Sequence, residues 1–205
     1  MNLPNKITLV RIVLVPIILI LMLLEAPFAN YNFVSASINN NNNVKINILW
    51  IIAGLLFIIA CFSDWLDGYL ARKNKQVTNF GKIADPIADK MLTSSVLIIM
   101  TIPQIIPVWV TLILISRDIF LDGIRIFLAT KKIVIAANYY GKLKTLMQMA
   151  GLTLLFFVNH IWFGWNSDWG SWRYHIILMP IYLSLLLSVW SAITYILRIK
   201  QSNQK

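Results

Sequence analysis

"DWLDGYLARKNKQVTNFGKIADPIADK", residues 64–90, is the stretch on which the reading of this chain turns. It holds Asp64, Asp67, Asp85 and Asp89, four of the eight acidic residues in a chain of 205 that is 59% hydrophobic. Asp64 and Asp67 are spaced i,i+3, and Asp85 and Asp89 i,i+4. On helices both spacings put the two carboxylates on one face. The first pair closes an apolar run and the second pair opens the next. Two helices joined by about a dozen residues would bring all four carboxylates to one edge of the fold.

Four carboxylates gathered in a partly dry site repel one another, and cations must offset that repulsion. A set of carboxylate oxygens suits a hard divalent ion such as Mg²⁺, Mn²⁺ or Ca²⁺. Zinc favours His and Cys, and residues 64–90 contain neither. Four carboxylates can hold two ions, the arrangement used in two-metal phosphoryl chemistry. Gly68 and Gly81 open helix faces for a bulky ligand, and Ala71 is small on the face of Asp64. Arg72 offers a donor fork for phosphate oxygens. A solvated helix end accounts for any one aspartate, but not for the whole set, which describes a slot for a metal-bound diphosphate.

The rest of the chain places this slot at a membrane. Mean hydropathy is +0.72 with 13% charged residues, outside the range of soluble domains. Met91–Ser116, Thr145–Trp165 and Tyr174–Leu197 carry no formal charge, and about 20 apolar residues span a bilayer as a helix. An open sheet is excluded there by its unsatisfied edges. The expected fold is an all-α integral membrane protein, one domain over residues 1–205, with six transmembrane helices. These run over about 8–24, 46–72, 83–102, 108–125, 144–163 and 175–197, with Pro103 and Pro107 marking a tight turn.

Of 18 Lys and Arg, only Lys45 and Arg173 fall on the side away from the termini. The positive-inside rule puts both termini and the acidic stretch in the cytoplasm. The net charge of +10 is thus read as topology and anionic-lipid contact, with no nucleic-acid partner. Lys6, Arg11, the apolar run after them and Ala26–Ala29 resemble a signal peptide. The segment is read instead as a first span, with Arg11 snorkelling toward the surface. Residues 36–47, with five consecutive asparagines at 39–43, read as a mobile outer loop. Cys61 reads as a small core residue, and His160 and His175 as incidental.

A second polar cluster falls near the same membrane face. Arg117, Asp118, Asp122 and Arg125 mark the end of the fourth helix, and "GKLKT", residues 141–145, opens the fifth. Arg117, Arg125, Lys142 and Lys144 are candidates to hold a second phosphate. The alternative is membrane anchoring with Arg–Asp pairing inside the fourth helix.

The spacing of Asp64, Asp67, Gly68, Ala71, Arg72, Gly81, Asp85 and Asp89 resembles, at every fixed position, the signature of the CDP-alcohol phosphotransferase family. "LPNKITLVRIVLVP", "SRDIFLDGIR" and "GKLKT" resemble one branch, the phosphatidylglycerophosphate synthases, although that branch more often has Glu where this chain has Asp118. The resemblance implies that Asp64, Asp67 and Asp85 ligate two divalent ions, Mg or Mn. Asp89 would complete that site and act as general base. Gly68, Arg72 and Gly81 would border the CDP group, and Arg117, Arg125, Lys142 and Lys144 the acceptor's phosphate. The implied reaction transfers a phosphatidyl group from CDP-diacylglycerol to sn-glycerol 3-phosphate, releasing CMP, at the cytoplasmic face of the cell membrane. Homodimers are usual in the family.

Two rivals stand beside this reading. One keeps the family and changes the acceptor to inositol phosphate, serine or a phospholipid. The other is a cation or proton transporter built on intramembrane carboxylates.

Overall fold

The computed structural model describes residues 3–24, 37–39, 45–73, 79–130, 139–162 and 172–202; its described side chains are those of 10–24, 48–63, 87–128, 130, 139–158 and 172–197. Among them the chain forms helices α1 (Leu3–Leu24), α2 (Ile48–Lys73), α3 (Asn79–Thr101), α4 (Val108–Thr130), α5 (Tyr139–Trp162), α6 (Trp172–Ile177) and α7 (Met179–Ser202). The chain is α-helical, as its apolar runs predict. One exception corrects the expected outer loop: β1 (Ser37–Asn39) pairs antiparallel with β2 (Lys45–Asn47), Ile38 opposite Ile46. Each strand centres a β-branched Ile between polar residues, the alternation a short hairpin needs.

The expected last helix is divided into α6 and α7. Leu178 N–H still bonds Tyr174 O at 3.1 Å, and Tyr182 N–H bonds Leu178 O at 3.0 Å. Between them Pro180 has no N–H to offer Ile176, so the ladder loses a rung at that turn. At the end of α3 the predicted proline turn is a Schellman closure. Ile105 N–H reaches Met100 O and Gln104 N–H reaches Thr101 O, both at 3.1 Å. Gln104 takes the left-handed conformation, φ 59°, where glycine is usual.

The helices form two compact units: Met1–Ile105 with Thr153–Ser167, and Ile106–Leu152 with Asp168–Lys205. In the first, α1 packs on α2 and α3. Its buried face is Arg11, Val15, Ile18 and Met22, while Val10, Val13, Ile17, Ile20 and Leu24 are exposed. Apolar side chains at helical spacing on both faces fit a helix with protein on one side and hydrocarbon on the other. α2 meets the end of α5 through Trp50 and Phe57, whose rings lie 5.7 and 5.5 Å from that of Phe156. Gly54 permits this approach, because a Cβ there would stand 2.9 Å from Phe156 Cβ. Gly54→Val is expected to cost about 1–3 kcal/mol of stability by overpacking, read as a lower midpoint of thermal unfolding in detergent.

In the second unit α4 packs on α7, with Trp109 stacked on Tyr182 at 6.3 Å. Leu121, Leu128 and Tyr195 form a buried cluster there. Contacts advance in the same direction along both helices, so α4 and α7 are parallel. α5 runs opposite to α7: a Cβ on Gly141 would meet Ser191 Oγ at 3.4 Å, and one on Gly151 would meet Ile181 Cδ1 at 2.7 Å. Met179–Leu197 is long and apolar enough to cross a membrane; Val10–Leu24 and Ile48–Ser63 are apolar but shorter.

Candidate active site

The acidic stretch stands on α2 and α3 in the first unit. Asp64, Asp67, Gly68 and Arg72 lie in the last part of α2, and Gly81, Asp85 and Asp89 in the first part of α3. Residues 74–78 connect the helices, a shorter link than the dozen expected. Gly81 does not delay α3, since it falls in the first turn, where glycine costs little. From Lys73 to Asn79 the backbone reaches roughly 20 Å at most, which keeps the two helix ends close in space. The side chains of Asp64, Asp67, Arg72 and Asp85, like the surroundings of Gly68 and Gly81, lie outside the described residues.

Asp89 is half-buried between exposed Ile87 and buried Ala88 and Leu92. Its carbonyl accepts the Thr93 hydroxyl at 3.0 Å, which ties the following turn of α3 to it. Arg11 does not snorkel: it is 1% exposed. The reason is its place on the inward stripe of α1, one turn before Val15. A guanidinium in a packed interior requires negative charge nearby, and α1 packs on the two helices that hold the four aspartates. The donor chemistry of that set, carboxylate oxygen throughout, suits Mg²⁺ or Mn²⁺.

A separate basic cluster is built on α4, α5 and α7 in the second unit. Asp118 bridges two cations: Arg117 Nη1 donates to its Oδ1 at 2.9 Å, and Lys144 Nζ to its Oδ2 at 2.5 Å. Arg117 Nε donates to Ser188 O at 2.9 Å, which fixes the guanidinium against α7. Lys144 is 2% exposed, so its ammonium lies in the interior with Asp118 as a counter-charge. Pairing inside α4 and a cation cluster across helices thus coexist.

The four candidate cations are divided by helical geometry. Lys142 is exposed. Two residues along a helix turn the side chain by about 200°, which carries Lys142 away from Lys144. Arg125 lies roughly 12 Å farther along α4 than Arg117. It pairs with Asp122 at 3.5 Å and lies over the Tyr195 ring at 5.7 Å. The structure brings Arg117 and Lys144 together, and leaves Lys142 and Arg125 outside that cluster. His175 is exposed, its ring 6.2 Å from that of Tyr182; the side chain of His160 lies outside the described residues.

The sequence profile of the family described as CDP-alcohol phosphatidyltransferase matches residues 1–190. The chain belongs to the CDP-alcohol phosphatidyltransferase family. Among curated relatives, CDP-diacylglycerol–glycerol-3-phosphate 3-phosphatidyltransferase of Bacillus subtilis (strain 168) is 44% identical over 158 residues, 77% of this chain and 78% of the relative. The Mycoplasma genitalium protein of the same name is 42% identical over 78% of this chain and 68% of its own length. The Salmonella choleraesuis protein of that name is 30% identical over 95% of this chain and 93% of its own. The match to the family therefore extends into the last third of the chain, where sequence reading recognised only apolar helices.

Sequence reading missed the bridging role of Asp118, the burial of Arg11, and five buried polar groups of the second unit. These are Thr111, Gln148, Ser184, Ser188 and Ser191. A signal for them was present: Gln148 follows Lys144 by one turn, and Ser184, Ser188 and Ser191 repeat at helical spacing.

Proposed function

We propose that this phosphatidyltransferase moves a phosphatidyl group from CDP-diacylglycerol to sn-glycerol 3-phosphate, forming phosphatidylglycerophosphate and CMP in phospholipid synthesis. The observation that carries the reading is the acidic signature on consecutive helices α2 and α3, in a chain that matches CDP-diacylglycerol–glycerol-3-phosphate 3-phosphatidyltransferases over most of both lengths. Family membership sets the transporter reading aside.

The family acts on lipids at membranes and depends on divalent metal. We place six spans in the cell membrane, with α6 and α7 together forming the last, and both termini on the cytoplasmic side. Support comes from the second unit, where α4 runs parallel to α7 and α5 opposite to both, as that span order demands. The active site then sits at the cytoplasmic rim, where a donor lipid keeps its chains in hydrocarbon and presents its head group to water.

Asp64, Asp67, Asp85 and Asp89 would hold two divalent ions. When bound, these supply the positive charge that neutralises the diphosphate and the departing CMP. Gly68 and Gly81 leave room for the cytidine diphosphate, and Arg72 orients its phosphates. Arg117 and Lys144 hold the acceptor's phosphate; Arg125 and Lys142 attract it from outside that cluster. Asp89 takes the proton from the attacking hydroxyl. The hydroxyl oxygen bonds to the phosphorus that carries diacylglycerol, and the bond from that phosphorus to the CMP oxygen breaks. No nucleophilic side chain is required.

The test is the purified protein with CDP-diacylglycerol, Mg²⁺ or Mn²⁺, and one acceptor at a time: sn-glycerol 3-phosphate, inositol phosphate or serine. The expected outcome is stoichiometric CMP and phosphatidylglycerophosphate with the first only. Lipid product with another acceptor and none with glycerol phosphate would overturn the assignment.

A further inference from the structure

The second unit contains more buried polar chemistry than its ion pairs consume. On the antiparallel register set by Gly141 against Ser191 and Gly151 against Ile181, Lys144 lies level with Ser188, and Gln148 with Ser184. On the parallel register set by Arg117 on Ser188 and Trp109 on Tyr182, Thr111 falls near the level of Ser184. Two polar tiers result. One holds Arg117, Lys144 and Ser188; the next, a turn along, holds Thr111, Gln148 and Ser184.

Gln148 is 3% exposed and Ser188 fully buried. Ser184 uses its hydroxyl on Ile181 O at 2.8 Å. Among the described residues, Arg117 Nη2, Ser188 Oγ, Thr111 Oγ1 and Gln148 Oε1 have no hydrogen-bond partner. An unmatched buried polar group is costly, and a polar guest at these two adjoining tiers would supply the four missing partners. Their chemistry is divided. Arg117 Nη2 donates, Ser188 and Thr111 donate or accept, and Gln148 Oε1 only accepts. An anion satisfies the first tier, but a fully ionised phosphate group has no donor for the carboxamide oxygen. That oxygen requires a donor, such as an alcohol hydroxyl carried on the same molecule.

We propose that Gln148 is the specificity-determining residue for the acceptor alcohol. Its Oε1 accepts a hydrogen bond from the acceptor's non-reacting hydroxyl, while Arg117 and Ser188 add donors to the phosphate. The proposal rests on the reading that the acceptor is a phosphorylated alcohol held by Arg117 and Lys144. It adds what that reading lacks, a reason for this site to prefer a polyol phosphate over a phosphate with a single hydroxyl.

The experiment compares sn-glycerol 3-phosphate with 3-hydroxypropyl phosphate, which lacks the middle hydroxyl, in wild type and in Gln148→Met. Wild type is expected to favour the glycerol compound about 10- to 100-fold in kcat/KM, the range of one buried hydrogen bond. In Gln148→Met the glycerol compound falls to the level of the analogue, and the analogue is little changed. Equal losses on both acceptors would overturn the proposal by making Gln148 merely structural. So would a wild type that uses both equally, a result that stands even if the variant fails to fold. Failure of wild type to use glycerol 3-phosphate at all would instead overturn the acceptor assignment.

Discussion

Asp89→Asn is expected to lower kcat by roughly 100- to 10,000-fold, the usual range for loss of a positioned general base. The amide keeps the shape and one oxygen of the carboxylate, but cannot take the proton of the attacking hydroxyl. Asp89 is half-buried and Thr93 anchors its backbone, so the substitution leaves the turn of α3 in place. Donor affinity, measured by equilibrium binding of CDP-diacylglycerol with Mg²⁺, should change far less than kcat. A variant with turnover near wild type would remove Asp89 as base. A variant in which turnover and donor binding are lost together would confine Asp89 to holding the metals and donor.

Lys144→Met should raise the acceptor's KM by about 10- to 100-fold, the scale of one charge-assisted hydrogen bond in a buried setting, with donor KM changed little. Lys142→Ala should change the acceptor's KM by only a few-fold, because its exposed ammonium acts through screened attraction. The contrast discriminates between two pictures. In one, all the cations of "GKLKT" bind phosphate alike; in the other, the helix turns one inward and one outward. Steady-state kinetics with the acceptor varied at saturating donor would separate them. Equal effects at the two lysines would contradict the cluster of Arg117, Asp118 and Lys144.

Much of the helical layout is legible in the sequence. The apolar runs and the proline turn after α3 each state a local rule the chain obeys, and the acidic pairs fall on helices as their spacing predicts. Other features depend on what a side chain meets across space. Arg11 near a helix start reads equally well as snorkelling or buried; only the packing of α1 on α2 and α3 decides. Pro180 near a helix start is tolerated, so its effect on the α6–α7 ladder was hidden in a continuous apolar run. Hydropathy averages also conceal polar groups. Ser184 and Ser188 hardly lower the score of α7, and Gln148 hardly lowers that of α5, yet they form a polar core with α4. The difference between Lys142 and Lys144 was available from helical periodicity, once α5 was known to begin before them at Tyr139.

The proposed reaction depends most on two divalent ions held between the aspartates of α2 and α3. The direct measurement is Mn²⁺ binding to the purified protein with a CDP-lipid present, followed by electron paramagnetic resonance, in wild type and in Asp67→Ala. Two Mn²⁺ per chain, magnetically coupled in wild type and lost or uncoupled in the variant, is the predicted result. Isolated, uncoupled Mn²⁺ unchanged by Asp67→Ala would contradict it.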